Sequence, residues 1–389
     1  MNRSSWGRAA LGELVEVARL PADPAHMGDT LVDHFSLPAF DQGGRPERVP
    51  AAAIKSVKLR VAEPMVLVSR LNPHIPRVWK VAPGDAPALA STEFAPLVPR
   101  GVSAEYLYAA CLSDSFQRAL AARVTGTSTS HQRVKPQDLL AIEIPVPPVD
   151  ERERIGSVVA HLERRREVSD RLAHVGDGLL RELFRSSFCG LWAGGTPLGD
   201  LIDITQGVSY RSAELGGTEQ ALVTLKCFGR DGGYRDVGLK PWSGEAKVGQ
   251  YVEEGDVVVA HTDLTQAAEV LGRAVVVRRS SRYKRLVASL DMAVLRPQPP
   301  LTREFLLGLT RQPEFRRYCQ AHANGTTVLH LSRRAVAGLQ ITVPGARAVD
   351  EYTSSAHPLV KRQLLADDER RAVVRLLRMA LQRFFDTAP

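Results

Sequence analysis

The chain has 389 residues, room for two or three ordinary domains, and its balance of 44% hydrophobic to 24% charged residues excludes a mainly disordered protein. A formal charge of +8 and a pI near 9.5 suit an acidic partner such as nucleic acid, although most proteins this basic do not use their charge that way. Cys111, Cys189, Cys227 and Cys319 are scattered, with no Cys-x-x-Cys and no histidine at ligand spacing, so neither a disulfide framework nor a zinc site is expected. Residues 1–20 lack an apolar signal core and no 18-residue apolar run exists, so the expectation is a cytoplasmic protein with free thiols and no membrane span.

In chain order, the first recognisable element is Leu11-Gly12-Glu13-Leu14-Val15-Glu16-Val17. Met65-Val66-Leu67-Val68-Ser69 is a β-branched run that reads as a buried strand. Ala90-Ser91-Thr92-Glu93-Phe94-Ala95 follows, and then an amphipathic helical pattern carrying Tyr106, Leu107 and Phe116. Gly126-Thr127 and His131 open a polar stretch, and Leu140, Ile142 and Ile144 alternate into the stop at Pro145.

Each element returns. Leu198 to Ile204 answers the first, Asp256 to Ala260 the second and Ala288 to Ala293 the third; Phe305, Leu306 and Phe315 answer the helix. Gly325-Thr326 with His330 answers Gly126-Thr127 with His131, and Leu339, Ile341, Val343 and Pro344 answer Leu140, Ile142, Ile144 and Pro145. Five matches in one order mark a tandem repeat. The offset is 187 at Leu11/Leu198 and 199 at Gly126/Gly325, a difference of 12 that one surface-loop insertion would explain.

A helical stretch follows each lobe. In the first, from Asp150 to Phe188, the residues Ile155, Val158, Leu162, Leu172, Leu179 and Leu183 are spaced for one apolar seam. In the second, from Asp350 to Phe385, Leu359, Val373, Leu377 and Phe384 share a face. Both begin with Asp-Glu, which suits the positive end of a helix dipole. Gly176, Gly178 and Pro358 predict a kink or break in each helix. The organisation expected is a lobe at 1–149, a helical spacer at 150–190, a second lobe at 191–348 and a second spacer at 349–389. The fold class is α+β, with irregular alternation of strands and short helices in each lobe.

The first spacer carries eight acidic and eight basic residues, and residues 350–389 carry six and seven. Against +8 for the whole chain, this leaves +7 on the lobes. The helices therefore read as scaffolding, and the lobes as the surface that could meet phosphates.

The richest candidate contacts are Thr127, Ser128, Thr129, Ser130, His131, Gln132, Arg133 and Lys135, which put hydroxyls, an amide and two cations on one Gly-opened loop. Arg and Gln pair bidentately with purine edges, and small hydroxyls fit against phosphate. Thr326, Thr327, His330, Arg333 and Arg334 answer in the second lobe. The plainer alternative is a polar turn whose Ser and Thr cap the next element. Ser69, Arg70 and Asn72 end the predicted strand, with His261 and Thr262 in the corresponding place, against the alternative of an ordinary Asx turn. Lys226 and Arg230 are lone cations on a predicted loop, of the kind that is usually a solvated surface charge.

Catalytic signatures are missing. Asn72-Pro73-His74-Ile75 is similar to the Asn-Pro-Pro-aromatic motif of adenine methyltransferases, but lacks its second proline and the aromatic that stacks on a flipped base. There is no Gly-rich loop for S-adenosylmethionine, no Walker motif, no carboxylate–lysine cluster of a nuclease and no nucleophile elbow. His131 and His330 have no nucleophile or carboxylate at a recognisable spacing, so loop ordering or DNA contact is the better reading. No catalytic residue and no metal ligand is expected.

The layout resembles the specificity subunits of type I restriction-modification systems. The resemblance rests on His34-Phe35-Ser36-Leu37-Pro38-Ala39-Phe40, Val68-Ser69-Arg70-Leu71-Asn72-Pro73, Ser91-Thr92-Glu93-Phe94, Gly126 through Arg133, and Ile144-Pro145-Val146-Pro147-Pro148 before an acidic helix start. It covers essentially the whole chain, though Pro344-Gly345-Ala346 departs from the Pro-rich run, and the glycines of the first helix depart from a smooth coil. The resemblance implies two target-recognition lobes, each reading half of a split target in double-stranded DNA, and two long antiparallel helices as a pseudo-two-fold spacer. A helix of about 37 residues would reach about 55 Å, on the order of one and a half duplex turns. It also implies two methyltransferase subunits as partners, which use S-adenosylmethionine to methylate adenine, and optional restriction subunits that cleave with ATP and Mg. No cofactor is expected in this chain. The alternatives are a non-catalytic protein-interaction scaffold and a diverged DNA-modifying enzyme.

Overall fold

The computed structural model describes residues 6–125, 132–229, 233–263, 268–325, 328–332 and 334–386. The chain forms two compact units, residues 1–169 with 369–389, and residues 170–368.

At the centre of the first unit is a four-stranded antiparallel sheet, in the order Val15–Val17, Phe94–Pro99, Met65–Ser69, Val78–Val81. Every residue of Met65–Ser69 is buried, because both faces of the sheet are covered. Strand alternation sends Val66 and Val68 to one side, into a core with Tyr106, Leu107 and Phe116 of helices Ala104–Leu112 and Asp114–Ala121. Met65 and Leu67 go to the other side, with Phe35, Ala88 and Ala90 of a five-stranded sheet. Ser103 and Ser113 start the two helices, their hydroxyls accepting from Tyr106 N and Phe116 N.

The second unit repeats this topology. Ile202–Gln206, Met292–Pro297, Val257–Ala260 and Ala274–Val276 form its four-stranded sheet in the same order. Val257 and Val259 face Phe305, Leu306 and Phe315, while Val258 and Ala260 face the opposite core. In both units the second sheet contains a parallel pair, Leu31–Phe35 with Ala88–Ala90 and Gln220–Val223 with Arg285–Ala288. The length difference between the repeats is not one insertion. Equivalent residues lie 191 apart at Ser69/Ala260, 198 at Phe94/Met292 and 197 at Val134/Leu331, so several connections differ, as surface loops tolerate.

Two long helices, Val149–Ser187 and Ala346–Leu381, run through the chain without interruption. The expected break is absent at Gly176, Gly178 and Pro358. They pack antiparallel within each unit. In the first, Arg154 stacks on Phe384, and Arg165, further along, pairs with Glu369. In the second, Phe184 meets Tyr352, and the earlier Ala173 carbonyl accepts from Gln363. The seam joins Ile155 and Val159 with Leu381 and Phe384 in the first unit, and Leu180 and Phe184 with Tyr352, Ala356 and Val360 in the second, where Gly176 also lies against Gln363. Two residues expected on it, Val158 and Leu179, are exposed instead. Small residues on the seam, such as Gly176, carry no hydropathic signal. Among the described residues no helix is long and apolar enough to cross a membrane.

Candidate nucleic-acid interface

The buried strand Met65–Ser69 does not stop at the sheet. Its continuation pairs with a hairpin, Val124–Thr125 with Arg133–Val134, through a bridge between Leu71 and Arg133. Asn72 N donates to Gln132 O at 2.8 Å, and Val134 N donates to Arg70 O at 3.0 Å. A small three-stranded platform results at the end of the strand. The second unit builds the same platform from Thr262–Asp263, Leu329–Leu331 and Ala323–Asn324. There Leu331 N donates to His261 O at 2.7 Å, as Val134 N does to Arg70 O.

This register fixes which residues correspond. Ser69, Arg70, Leu71 and Asn72 stand where Ala260, His261, Thr262 and Asp263 stand, in agreement with the sequence reading. The hairpin partner is different from that expected. Arg133 pairs with Thr125 and His330 with Asn324, so His330 occupies the position of Arg133 and not of His131. Seven residues separate Thr125 from Arg133 and five separate Asn324 from His330, so an alignment carried through from the glycines slips by two. The same slip affects the strand end, where Leu11 N bonds Ile142 O and Leu198 N bonds Leu339 O. Ile142 therefore answers Leu339, and Ile144 answers Ile341.

In the first unit, Ser69 is buried and its hydroxyl donates to Leu71 O at 3.0 Å, which serves the strand end and leaves no hydroxyl on the surface. Arg70 Nη2 donates to Thr92 O at 2.9 Å, tying the platform to the turn before Phe94. Asn72 takes a left-handed conformation, φ 49°, which an asparagine accepts more readily than most side chains. Its buried Oδ1 has no partner among the described residues. Arg133 is exposed and its guanidinium meets the Glu93 carboxylate at 2.5 Å. Gln132 is half-buried, and Lys135 is exposed just before helix Pro136–Leu140.

The second unit replaces these groups. His261 is 3% exposed and neither ring nitrogen has a partner among the described residues. Burial lowers its pKa to about 4, so it is neutral at pH 7. Thr262 Oγ1 lies 3.3 Å from Nδ1 of the exposed His330. Asp263, which sequence reasoning did not single out, accepts from Val270 N at 2.5 Å and Leu271 N at 3.1 Å. Arg334 is exposed at the start of the turn Ala335–Gly338. Lys226 is exposed on the connection after Gln220–Val223, a strand of the other sheet, and is not on the platform. Thr127, Ser128, Thr129, Ser130, His131, Arg230, Thr326, Thr327 and Arg333 lie outside the described residues.

Glu93 was also missed as a site residue, although its phrase recurs as Ser289-Leu290-Asp291-Met292. The carbonyls of Glu93 and Asp291 accept from Arg70 N and His261 N, so each acid sits beside its platform. The platforms expose guanidinium and imidazole groups beside fixed backbone, the donors that meet base edges and phosphates. Among the described residues no group of His, Cys, Asp and Glu is arranged to hold a metal ion.

No family model matches the chain, and no curated protein does. Solved structures do. The S subunit of a type I restriction-modification system from M. genitalium is similar with a TM-score of 0.60 and 13% identity, over 100% of this chain and 98% of that one. The HsdS subunit from Thermoanaerobacter tengcongensis is similar at 20% identity over 98% and 96%, with a TM-score of 0.38. A chain from work on the assembly and conformational transition of the type I R-M system is similar at 20% identity over 97% of each, with a TM-score of 0.39. On the full-length match to the M. genitalium protein, this chain has the fold of the S subunit of a type I restriction-modification system.

Proposed function

We propose that the chain is the DNA-specificity subunit of a type I restriction-modification complex, with no catalysis of its own. In this reading each unit recognises one half of a split target in double-stranded DNA. The subunit directs adenine methylation by two methyltransferase partners, and cleavage where restriction subunits join. S-adenosylmethionine, ATP and Mg then belong to the partners, and the complex works in the cytoplasm.

One observation carries the reading. The two units hold the same backbone platform but expose different groups at the same register position, Arg133 in the first and His330 in the second, beside different supporting residues beneath them. Conserved geometry with exchanged donors and acceptors is what two readers of unlike half-sites require, because base edges are told apart by donor and acceptor pattern. A protein-interaction scaffold has no need of such exchange.

The test is co-expression with the neighbouring methyltransferase subunit and mapping of methylated adenines across the host DNA. The expected result is a split motif with a fixed gap, and Arg133→Ala alters one half of it only. A stable complex that adds no methylation and shows no salt-dependent DNA binding would overturn the reading in favour of the scaffold.

A further inference from the structure

The segment Arg278-Arg279-Ser280-Ser281-Arg282-Tyr283-Lys284-Arg285 holds five cations in eight residues and no acid. It connects strand Ala274–Val276 to strand Arg285–Ala288. The equivalent connection of the first unit, between Val78–Val81 and Ala88–Ala90, reads Ala82-Pro83-Gly84-Asp85-Ala86-Pro87 and has no cation. The basic loop is therefore not a requirement of the fold.

Its placement separates it from the platform. Strand Val257–Ala260 runs towards His261, and its antiparallel neighbour Ala274–Val276 runs the other way. The loop thus leaves the opposite end of the sheet, about 13 Å away along four residues of strand. Its base is tied down: Arg278 pairs with Glu254 at 3.3 Å and with Asp368 of the long helix Ala346–Leu381. Lys284 pairs with Glu219 at 2.9 Å. Arg279, Arg282 and Arg285 are exposed and meet no carboxylate among the described residues. Arg282 donates to Asp236 O at 2.7 Å and lies over the Tyr283 ring, contacts that leave its charge without a carboxylate. The loop lines an open cleft of about 770 Å³ with Thr218 and, as its one unpaired carboxylate in the described residues, Glu253.

We propose that Arg279, Arg282 and Arg285 grip the phosphate backbone of bound DNA outside the half-site that the platform of their own unit reads, without reading its sequence. This rests on the function proposed above. Carboxylates neutralise Arg278 and Lys284, while the three other guanidiniums face solvent, and guanidinium matches phosphate geometry bidentately. The loop leaves the sheet at the end opposite the platform, which separates the contact from the half-site.

The experiment uses the assembled complex with its methyltransferase subunits. Binding to target and non-target duplexes is measured from 50 to 200 mM salt for wild type, for Arg279→Ala/Arg282→Ala/Arg285→Ala, and for the same three positions changed to Lys. Each phosphate contact contributes about 0.9 to the slope of log K against log salt. The triple alanine variant is expected to lower the slope by about 2 to 3 and to weaken both duplexes about equally, with the mapped target unchanged. The triple lysine variant is expected to keep most of the slope. An unchanged slope in the alanine variant, a changed target motif, or loss of assembly with the methyltransferase subunit would each overturn the inference. None of the three side chains is buried, so an unaltered melting temperature verifies the fold. A wild-type complex without any split target would instead sink the specificity-subunit reading itself.

Discussion

Gly176 lies against Gln363 so closely that a Cβ at Gly176 would come within 2.8 Å of the glutamine Cγ. The Gln363 amide is held at both ends: Nε2 donates to Ala173 O at 3.1 Å, and Oε1 accepts from Arg311 Nη1 at 3.1 Å. Arg311 in turn reaches Asp177 at 3.1 Å. The glycine that weakens the helix in isolation is thus what lets a polar side chain cross to the neighbouring helix.

Gly176→Val is therefore expected to destabilise the second unit by about 1–3 kcal/mol, since overpacking outweighs the gain in helix propensity. Combining Gly176→Ala with Gln363→Ala should recover stability beyond the sum of the two single changes. Chemical denaturation of wild type, Gly176→Val, the two alanine variants and their combination measures both effects, and additive alanine changes would show that the contact does not matter.

The first unit has a different fastener. Asp386 Oδ1 accepts from Ser115 N at 2.6 Å and Oδ2 from Asp114 N at 3.1 Å, capping helix Asp114–Ala121 from the far end of the chain. Asp386→Ala should cost about 0.5–2 kcal/mol, the usual range for losing a helix cap. Removing residues 382–389 should cost more, because Phe384 is buried and Phe385 stacks on Tyr106. Thermal melts compare the three proteins; equal melting temperatures would refute the cap.

His261 makes the second unit acid-sensitive. Its folded pKa is about 4 against an ordinary 6.5, so the unfolded chain takes up the proton first. Stability from this group is complete above pH 6.5 and is lost as pH falls towards 4, by about 3 kcal/mol in all. His261→Leu should flatten the difference in unfolding free energy between pH 7 and pH 4.5. Parallel pH profiles for wild type and variant would contradict the assignment.

Thiol chemistry separates the four cysteines. Cys111, Cys227 and Cys319 are buried, and burial pushes their thiols up, Cys227 to about 11 and Cys319 to about 12. Cys189 is exposed. A disulfide reagent at pH 8 should titrate one thiol quickly and the other three only in denaturant. Cys189→Ser should abolish the fast phase, and a fast phase that survives would mean that a core opens.

The duplication was legible from the chain alone because repeated side chains serve repeated roles. Ser91 to Phe94 and Ser289 to Met292 both turn a strand of the second sheet into one of the first. Residues 69–72 and 260–263 both carry the central strand into a platform. The helix seam was read less well. Large apolar residues such as Val158 and Leu179 drew attention, while the contact passes through Ala173 and Gly176. Close approach of two helices selects small residues, and these leave almost no hydropathic pattern.

Composition, recurrence and strand alternation by themselves determined two related mixed units, each followed by a long helix, with polar strand ends as the candidate contacts. Alternation has a period of two, so sliding a strand by two residues returns every side chain to the same face. The pattern therefore could not choose between His131 and Arg133 as the counterpart of His330. Only the backbone pairing of Arg133 with Thr125 and of His330 with Asn324 decided it, because hydrogen bonds between distant segments count residues that hydrophobicity does not.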